Sequence, residues 1–247
     1  MERFIRLETT ADGRLARLDI HRPPVNVLGL ADLEDLARGV EEARGARVLV
    51  LTGLARAFSA GVEIADHRPE AALIDRMLAA MRRALSALIE TPAITVASVA
   101  GACLGGGAEL ASACDVVLTA EDARIGFPEI RVGCFPPAAA VFLSARIGEA
   151  RAAEWVLTGR ISSGTEAAAA GFAARAFPSA SLERETGLLV EGLLSRSPLA
   201  LAAARDILRI ARRDTLTNAL PLAEAAYRKL EGSEDLARAV RNFKGKK

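Results

Sequence analysis

Two glutamates stand behind stretches of small or turn-forming residues. Glu109 lies in GACLGGGAEL, from Gly101 to Leu110, directly after three consecutive glycines, and Glu129 lies in ARIGFPEIRVG, directly after a proline. A pair of carboxyl groups, one charged and one protonated, can take a proton from water and deliver one to carbon beside a carbonyl. For either glutamate alone, a solvated surface charge or a partner of a helix N-terminus is the commoner role.

The three glycines need a reason, because each weakens a helix by about 1 kcal/mol relative to alanine. They follow the apolar run AITVASVAG and precede a helical pattern from about Ala108, so their N–H groups lie bare at the positive end of a helix dipole. That suits an anion. The spacing is neither GxGxxG nor GK[ST], which turns the reading from a bound phosphate toward a transient oxyanion. Close packing of a helix on a strand is the alternative. A second small-residue turn, Ser59-Ala60-Gly61 in ARAFSAGVEI, follows the apolar run RVLVLTG. One N–H from each turn, meeting on a single oxygen, makes an oxyanion hole.

The elements that must position these groups can be read from periodicity. FIRLE and RLARLDI alternate on either side of Asp12-Gly13, a hairpin that the two prolines of HRPPVN stop. A helical pattern covers Ala31 to Glu42, and Ile74, Met77, Leu78, Met81, Leu85 and Leu88 recur at helical spacing. RVLVLTG, AITVASVAG and DVVLTAE read as buried strands. Strands separated by helices predict an α/β fold with a mainly parallel sheet, whose ligands bind at the strand ends. The proline of ARIGFPEI predicts an extended Phe127 and an exposed turn carrying Glu129. From about residue 197 the pattern changes to apolar helices, LALAAARDILRIARR and LPLAEAAYRKL, giving a core over 1–196 and a helical oligomerisation region over 197–247.

Composition bounds the partners. The 247 residues are 51% apolar and 26% charged with a net charge of +1, so no long-range attraction to nucleic acid or to an anionic membrane is expected. The uncharged run from Pro92 to Ala108 is short and glycine-rich for a membrane span. Cys103, Cys114 and Cys134 are odd in number and lack CxxC spacing, which argues against a disulfide framework or a zinc site and for a cytoplasmic setting.

AFSAGVEI, GACLGGGAELASACDVVLTAEDARIGFPEIRVG, the early HRPPVNVLG and the late LTGRISSGTEAAAAGF, in that order, resemble the crotonase superfamily of enoyl-CoA hydratases and isomerases. The resemblance implies a spiral of ββα turns whose C-terminal helices build a homotrimer or a dimer of trimers. It implies an acyl-CoA substrate, its enolate oxygen held by the N–H groups of Val62 and Gly106, with Glu109 and Glu129 as the catalytic acids. Ala60, Gly61, Ile64, Gly105, Phe135 and Pro136 are expected against the substrate. Coenzyme A enters as part of the thioester, and no metal or other cofactor is implied. Both acids together favour hydration over isomerisation.

Common hydratases of this superfamily carry a glycine-rich turn, PGxGG, about ten residues after the second glutamate, where this chain has GCFPPAAAVFL. Pro137, Ala138, Ala139 and Ala140 add volume there, and the proline removes one N–H where the acyl end should lie. With GVEIADHRPE, which holds Asp66 and His67, the FPPAAA turn resembles the branch that hydrates cyclohexa-1,5-diene-1-carboxyl-CoA. A chain-acyl hydratase, an isomerase using one glutamate and a non-catalytic binding protein of the same fold remain as alternatives. A serine hydrolase lacks its GxSxG here, and the terminal KGKK reads as a solvated tail.

Overall fold

The computed structural model describes residues 4–63 and 71–206 and, toward the C-terminus, 208, 221, 224, 225, 228 and 241. Ile64, Asp66, His67, the terminal KGKK and most of the helical region expected beyond residue 206 lie outside the described residues.

The N-terminal hairpin pairs β1 (Ile5–Thr9) with β2 (Leu15–Ile20) antiparallel, in the register Leu7 opposite Leu18. It opens a six-stranded sheet continued by β4 (Val48–Thr52), β7 (Ile94–Val99), β9 (Val116–Ala120) and β12 (Arg175–Phe177), all parallel from β2 onward. β4 shows why RVLVLTG is apolar throughout. Leu49 and Leu51 face the main core under α1 (Leu30–Glu42) and α2 (Ala71–Glu90), while Val48 and Val50 face Val190 of α7 (Leu182–Leu194). Successive side chains of a strand point to opposite faces, so a strand covered on both sides must be apolar at every position.

A smaller sheet runs β11 (Ile161–Ser163), β10 (Arg124–Gly126), β8 (Ala102–Leu104) and β5 (Ala57–Ser59). Here β5, β8 and β10 are parallel and β11 is antiparallel to β10. Three consecutive strands of the large sheet are each followed by a short strand of the small one: β4 by β5, β7 by β8, β9 by β10. Helices α2, α3 (Gly106–Ala113) and α4 (Pro137–Ile147) close these units, so the chain climbs through repeated ββα turns. Two of the short strands, β8 and β10, lie within GACLGGG and ARIGFPEI, where the sequence shows no strand, because three residues are too few to show a period of two. A two-stranded parallel ribbon, β3 (Val27–Leu28) with β6 (Gly61–Val62), α5 (Glu149–Thr158) and α6 (Gly164–Ala170) complete the labelled elements.

The uncharged run from Pro92 to Ala108 folds as β7, a turn, β8 and the start of α3. Among the described residues no single helix is long and apolar enough to cross a membrane.

Candidate active site

The first loop of the site is held from the hairpin end. Asn26 is fully buried at φ 55°, and its Nδ2 lies 2.8, 3.0 and 3.0 Å from the carbonyl oxygens of Ile20, Ala57 and Phe58, tying β5 to the end of β2. Ser59 Oγ donates to the Asn26 carbonyl at 2.7 Å and accepts the N–H of Gly61 at 3.2 Å. Ser59 is thus a loop fastener. The N–H of Glu63 donates to the Leu28 carbonyl at 2.9 Å. In a parallel ladder alternate residues point their N–H groups to opposite sides, so the N–H of Val62 faces away from β3.

Each glycine of the triplet meets a different neighbour. Gly105 has φ +53°, and a Cβ there would stand 2.5 Å from Glu129 Oε1; on Gly106 it would stand 2.6 Å from Val62 Cγ2, and on Gly107 2.6 Å from Ser59. The triplet therefore lets α3 begin against the first loop and the second glutamate together. Helix α3 begins at Gly106, two residues before its sequence pattern does, because glycines carry no apolar signal. The N–H of Gly106, first residue of that helix, has no partner within it.

Glu109 is 3% exposed in the first turn of α3. Its Oε1 accepts the N–H groups of Ala138 and Ala139, both at 2.9 Å, from the first turn of α4. The FPPAAA stretch is thus the N-terminus of a helix aimed at Glu109. Glu129 sits in a 3₁₀ turn, Pro128–Val132, whose Glu129 carbonyl accepts the N–H of Cys134. Contrary to the exposed turn that the sequence predicts, its carboxyl is turned inward, and Oε2 is buried with no hydrogen-bond partner. Phe127, at φ −126°, is fully buried against Trp155 and Phe172, and that anchorage turns the glutamate inward.

Both acids are weakened by their surroundings. Burial lifts Glu109 to about 7, against the two backbone donors, and lifts Glu129 to about 8, assisted by the charge of Glu109. Two buried carboxyls that oppose each other's ionisation hold a proton between them near neutrality.

The two carboxyls line a cavity of about 300 Å³. Ala60, Gly61, Val62, Gly105, Gly106 and Phe135 line it as well, so the structure brings together every described residue the sequence assigned to the site except Pro136. Pro136 caps α4, its carbonyl accepting the N–H of Ala140. The sequence shows Met77 and Met81 only as apolar positions at helical spacing; both face this cavity, with Arg131, Cys134 and Pro137. Among the described residues no cluster of three histidine, cysteine or acidic side chains could hold a metal ion.

The sequence model of the enoyl-CoA hydratase/isomerase family matches residues 10–247. A putative enoyl-CoA hydratase of Thermus thermophilus is 32% identical over 218 residues, 87% of this chain and 85% of that protein. A cyclohexa-1,5-dienecarbonyl-CoA hydratase of Thauera aromatica is 33% identical over 158 residues, 63% of this chain and 60% of that protein. In three dimensions the chain is similar to an enoyl-CoA hydratase of Mycobacterium avium subsp. paratuberculosis, with a TM-score of 0.87 and 26% identity over 99% of this chain and 96% of that one.

Proposed function

Because the chain belongs to the enoyl-CoA hydratase/isomerase family and is a hydro-lyase of enoyl-CoA thioesters, we propose that Glu109 and Glu129 add water to a conjugated acyl-CoA at this site. The convergence of two buried, weakened carboxyls on one cavity beside the backbone of Val62 and Gly106 carries the reading.

The roles follow from their partners. Two N–H donors favour the charged form of Glu109, whereas Glu129 has an oxygen with no donor and the charge of Glu109 nearby. Glu109 is the base and Glu129 carries the proton. Glu109 removes a proton from water as its oxygen bonds to the β-carbon, and the double-bond electron pair moves onto the thioester oxygen. The N–H groups of Val62 and Gly106 hold that enolate, and Glu129 returns a proton to carbon. The proton taken by Glu109 then resets the pair. A backbone oxyanion hole stabilises the enolate without calling on a metal or redox group.

For the acyl group we favour cyclohexa-1,5-diene-1-carboxyl-CoA, hydrated in a 1,4 sense to 6-hydroxycyclohex-1-ene-1-carboxyl-CoA, as in anaerobic degradation of aromatic acids. The relative from Thauera aromatica supports this, as does an apolar wall of Ile74, Met77, Leu78, Met81 and Pro137. A chain-acyl enoyl-CoA is the second reading, supported by the Thermus relative. Turnover of the cyclic diene and of crotonyl-CoA, side by side with products identified by mass, separates them. Preference for the diene upholds the first reading, preference for crotonyl-CoA the second, and activity on neither overturns both.

The same reading carries a cytoplasmic enzyme of three or six identical chains, joined through the helical end. Exposed Leu188, Leu199 and Leu208 support the assembly, and three buried free cysteines suit a reducing compartment. Sedimentation equilibrium checks the subunit count.

A further inference from the structure

β1 ends the six-stranded sheet, and among the described residues no strand pairs with its outer edge. Which groups lie on that edge follows from the hairpin. The Phe4 carbonyl accepts the N–H of His21 at 2.7 Å, and the N–H of Thr10 donates to the Leu15 carbonyl at 2.9 Å, so the even-numbered residues turn their backbone toward β2. In an antiparallel strand the N–H and C=O of one residue point the same way and those of the next point oppositely. Ile5, Leu7 and Thr9 therefore present theirs outward. Such edges are commonly blunted by a proline, a bulge or charges that repel a second copy. β1 has neither proline nor bulge, and its two charges, Arg6 and Glu8, are exposed and opposite in sign. A groove between the edge and α1, lined by Ile5, Leu7, Asp35, Arg38 and Glu42, leaves the approach open.

We propose that two copies of this chain pair through β1, antiparallel about a two-fold axis at Leu7. In that register Leu7 faces Leu7 and Ile5 faces Thr9, so the outward N–H and C=O groups of each pair bond one another and the two large sheets run on as one. Arg6 of each copy falls opposite Glu8 of the other, at the positions without hydrogen bonds, where side chains come closest. Within one copy Glu8 already faces Arg17 and Arg6 faces Asp19 across the hairpin. The row across the seam therefore reads Arg17, Glu8, Arg6, Asp19, alternating in sign on one face of the sheet. The charges also fix the register. Sliding the pairing by two residues keeps the same backbone groups in play but sets Arg6 against Arg6 or Glu8 against Glu8, and a parallel pairing in register does both. Chains gathered through the helical end would meet a second such set along these edges.

Sedimentation equilibrium of the full chain at low salt tests the pairing, on Arg6→Glu, on Glu8→Arg, on the two substitutions together and on the two single variants mixed in equal amounts. Each single variant sets like charges opposite each other on both sides of the axis, and should sediment at half the wild-type mass while urea unfolding shows it folded. The double variant restores opposite signs. So does the mixture, where an acidic edge meets a basic one, and both should return to the wild-type mass. The register is read separately. Residues facing each other in a hydrogen-bonded antiparallel pair have Cα atoms about 5.5 Å apart, within reach of a disulfide. Leu7→Cys should therefore link chains in pairs on mild oxidation, whereas Thr9→Cys, facing Ile5, should not; the three native cysteines are buried. Single variants that keep the wild-type mass overturn the proposal. A double variant and mixture that both stay at half of it, or a Leu7→Cys chain that yields no linked pair, overturn it as well.

Discussion

Replacing Gly105 with alanine tests whether the glycine triplet exists to seat the second glutamate. The added Cβ would stand 2.5 Å from Glu129 Oε1, whereas ordinary contact begins near 3.4 Å, so the carboxylate must retreat by about 1 Å. A displacement of that size at a reacting group costs about 10²-fold in rate. The backbone adds its own cost, because φ +53° and ψ −127° suit glycine alone and hold an alanine at about 1–3 kcal/mol of strain. Denaturant unfolding reads the strain, and hydration of an enoyl-CoA by the folded fraction reads the displacement. The informative control is Glu129→Gln. In that background the alanine should cost the same stability but little further rate, since the proton donor is already gone. A Gly105→Ala enzyme with unchanged kcat, or one whose rate loss simply multiplies that of Glu129→Gln, would refute the seating argument.

Glu109→Gln and Glu129→Gln should each lower turnover by roughly 10²-fold or more while acyl-CoA still binds; near-native kcat in either variant excludes that residue from the chemistry. The same substitutions should stabilise the fold in alkaline solution. Folded values of about 7 and 8, above an unfolded 4.5, mean the native state holds the extra protons, so stability falls as pH rises from 4.5 through 8. Each glutamine should therefore add roughly 3–5 kcal/mol at pH 8.5 and almost nothing at pH 4, and urea midpoints that do not diverge with pH would contradict the burial of these acids. With one acid ionised and one protonated, kcat/KM should trace a bell centred between their two titrations, and a flat profile from pH 6 to 9 would argue against the pair. Asn26→Ala should cost about 2–4 kcal/mol, because three buried carbonyls lose their donor, as thermal or urea unfolding would show.

The site was legible in the sequence where its chemistry depends on local spacing. Glycines before Glu109, the Ser59-Ala60-Gly61 turn and the order of both along the chain mark backbone that must stay bare, and these residues do meet. What could not be read depends on contacts distant in the chain. Ala138 and Ala139 are 29 and 30 residues from Glu109, and nothing in their identity announces that their N–H groups hold it. The inward turn of Glu129 hid for a similar reason: Pro128 signals a turn, but the burial of Phe127 against Trp155 and Phe172 decides which way it faces. Met77 and Met81 showed their helix by spacing, yet a cavity wall and a solid core ask for the same apolar residues.

The partnership of α3 and α4 extends beyond Glu109. The first turn of α4 holds Glu109 near the start of α3, and Arg146, in the last turn of α4, donates to the carbonyls of Ser112 and Cys114 at its end. At 1.5 Å per residue the two helices are about 12 and 16 Å long, and hydrogen bonds from each end of α4 tie it to α3 and the residue after it. Gly106, Glu109 and the donors to Glu109 therefore shift together or not at all, as a single stiff bracket. On the opposite wall α2 meets the bracket with Met81 beside Gly106, a soft thioether contact. The thioether end can yield to rings, branches or longer chains at that wall while the ties between α3 and α4 hold Glu109 in place.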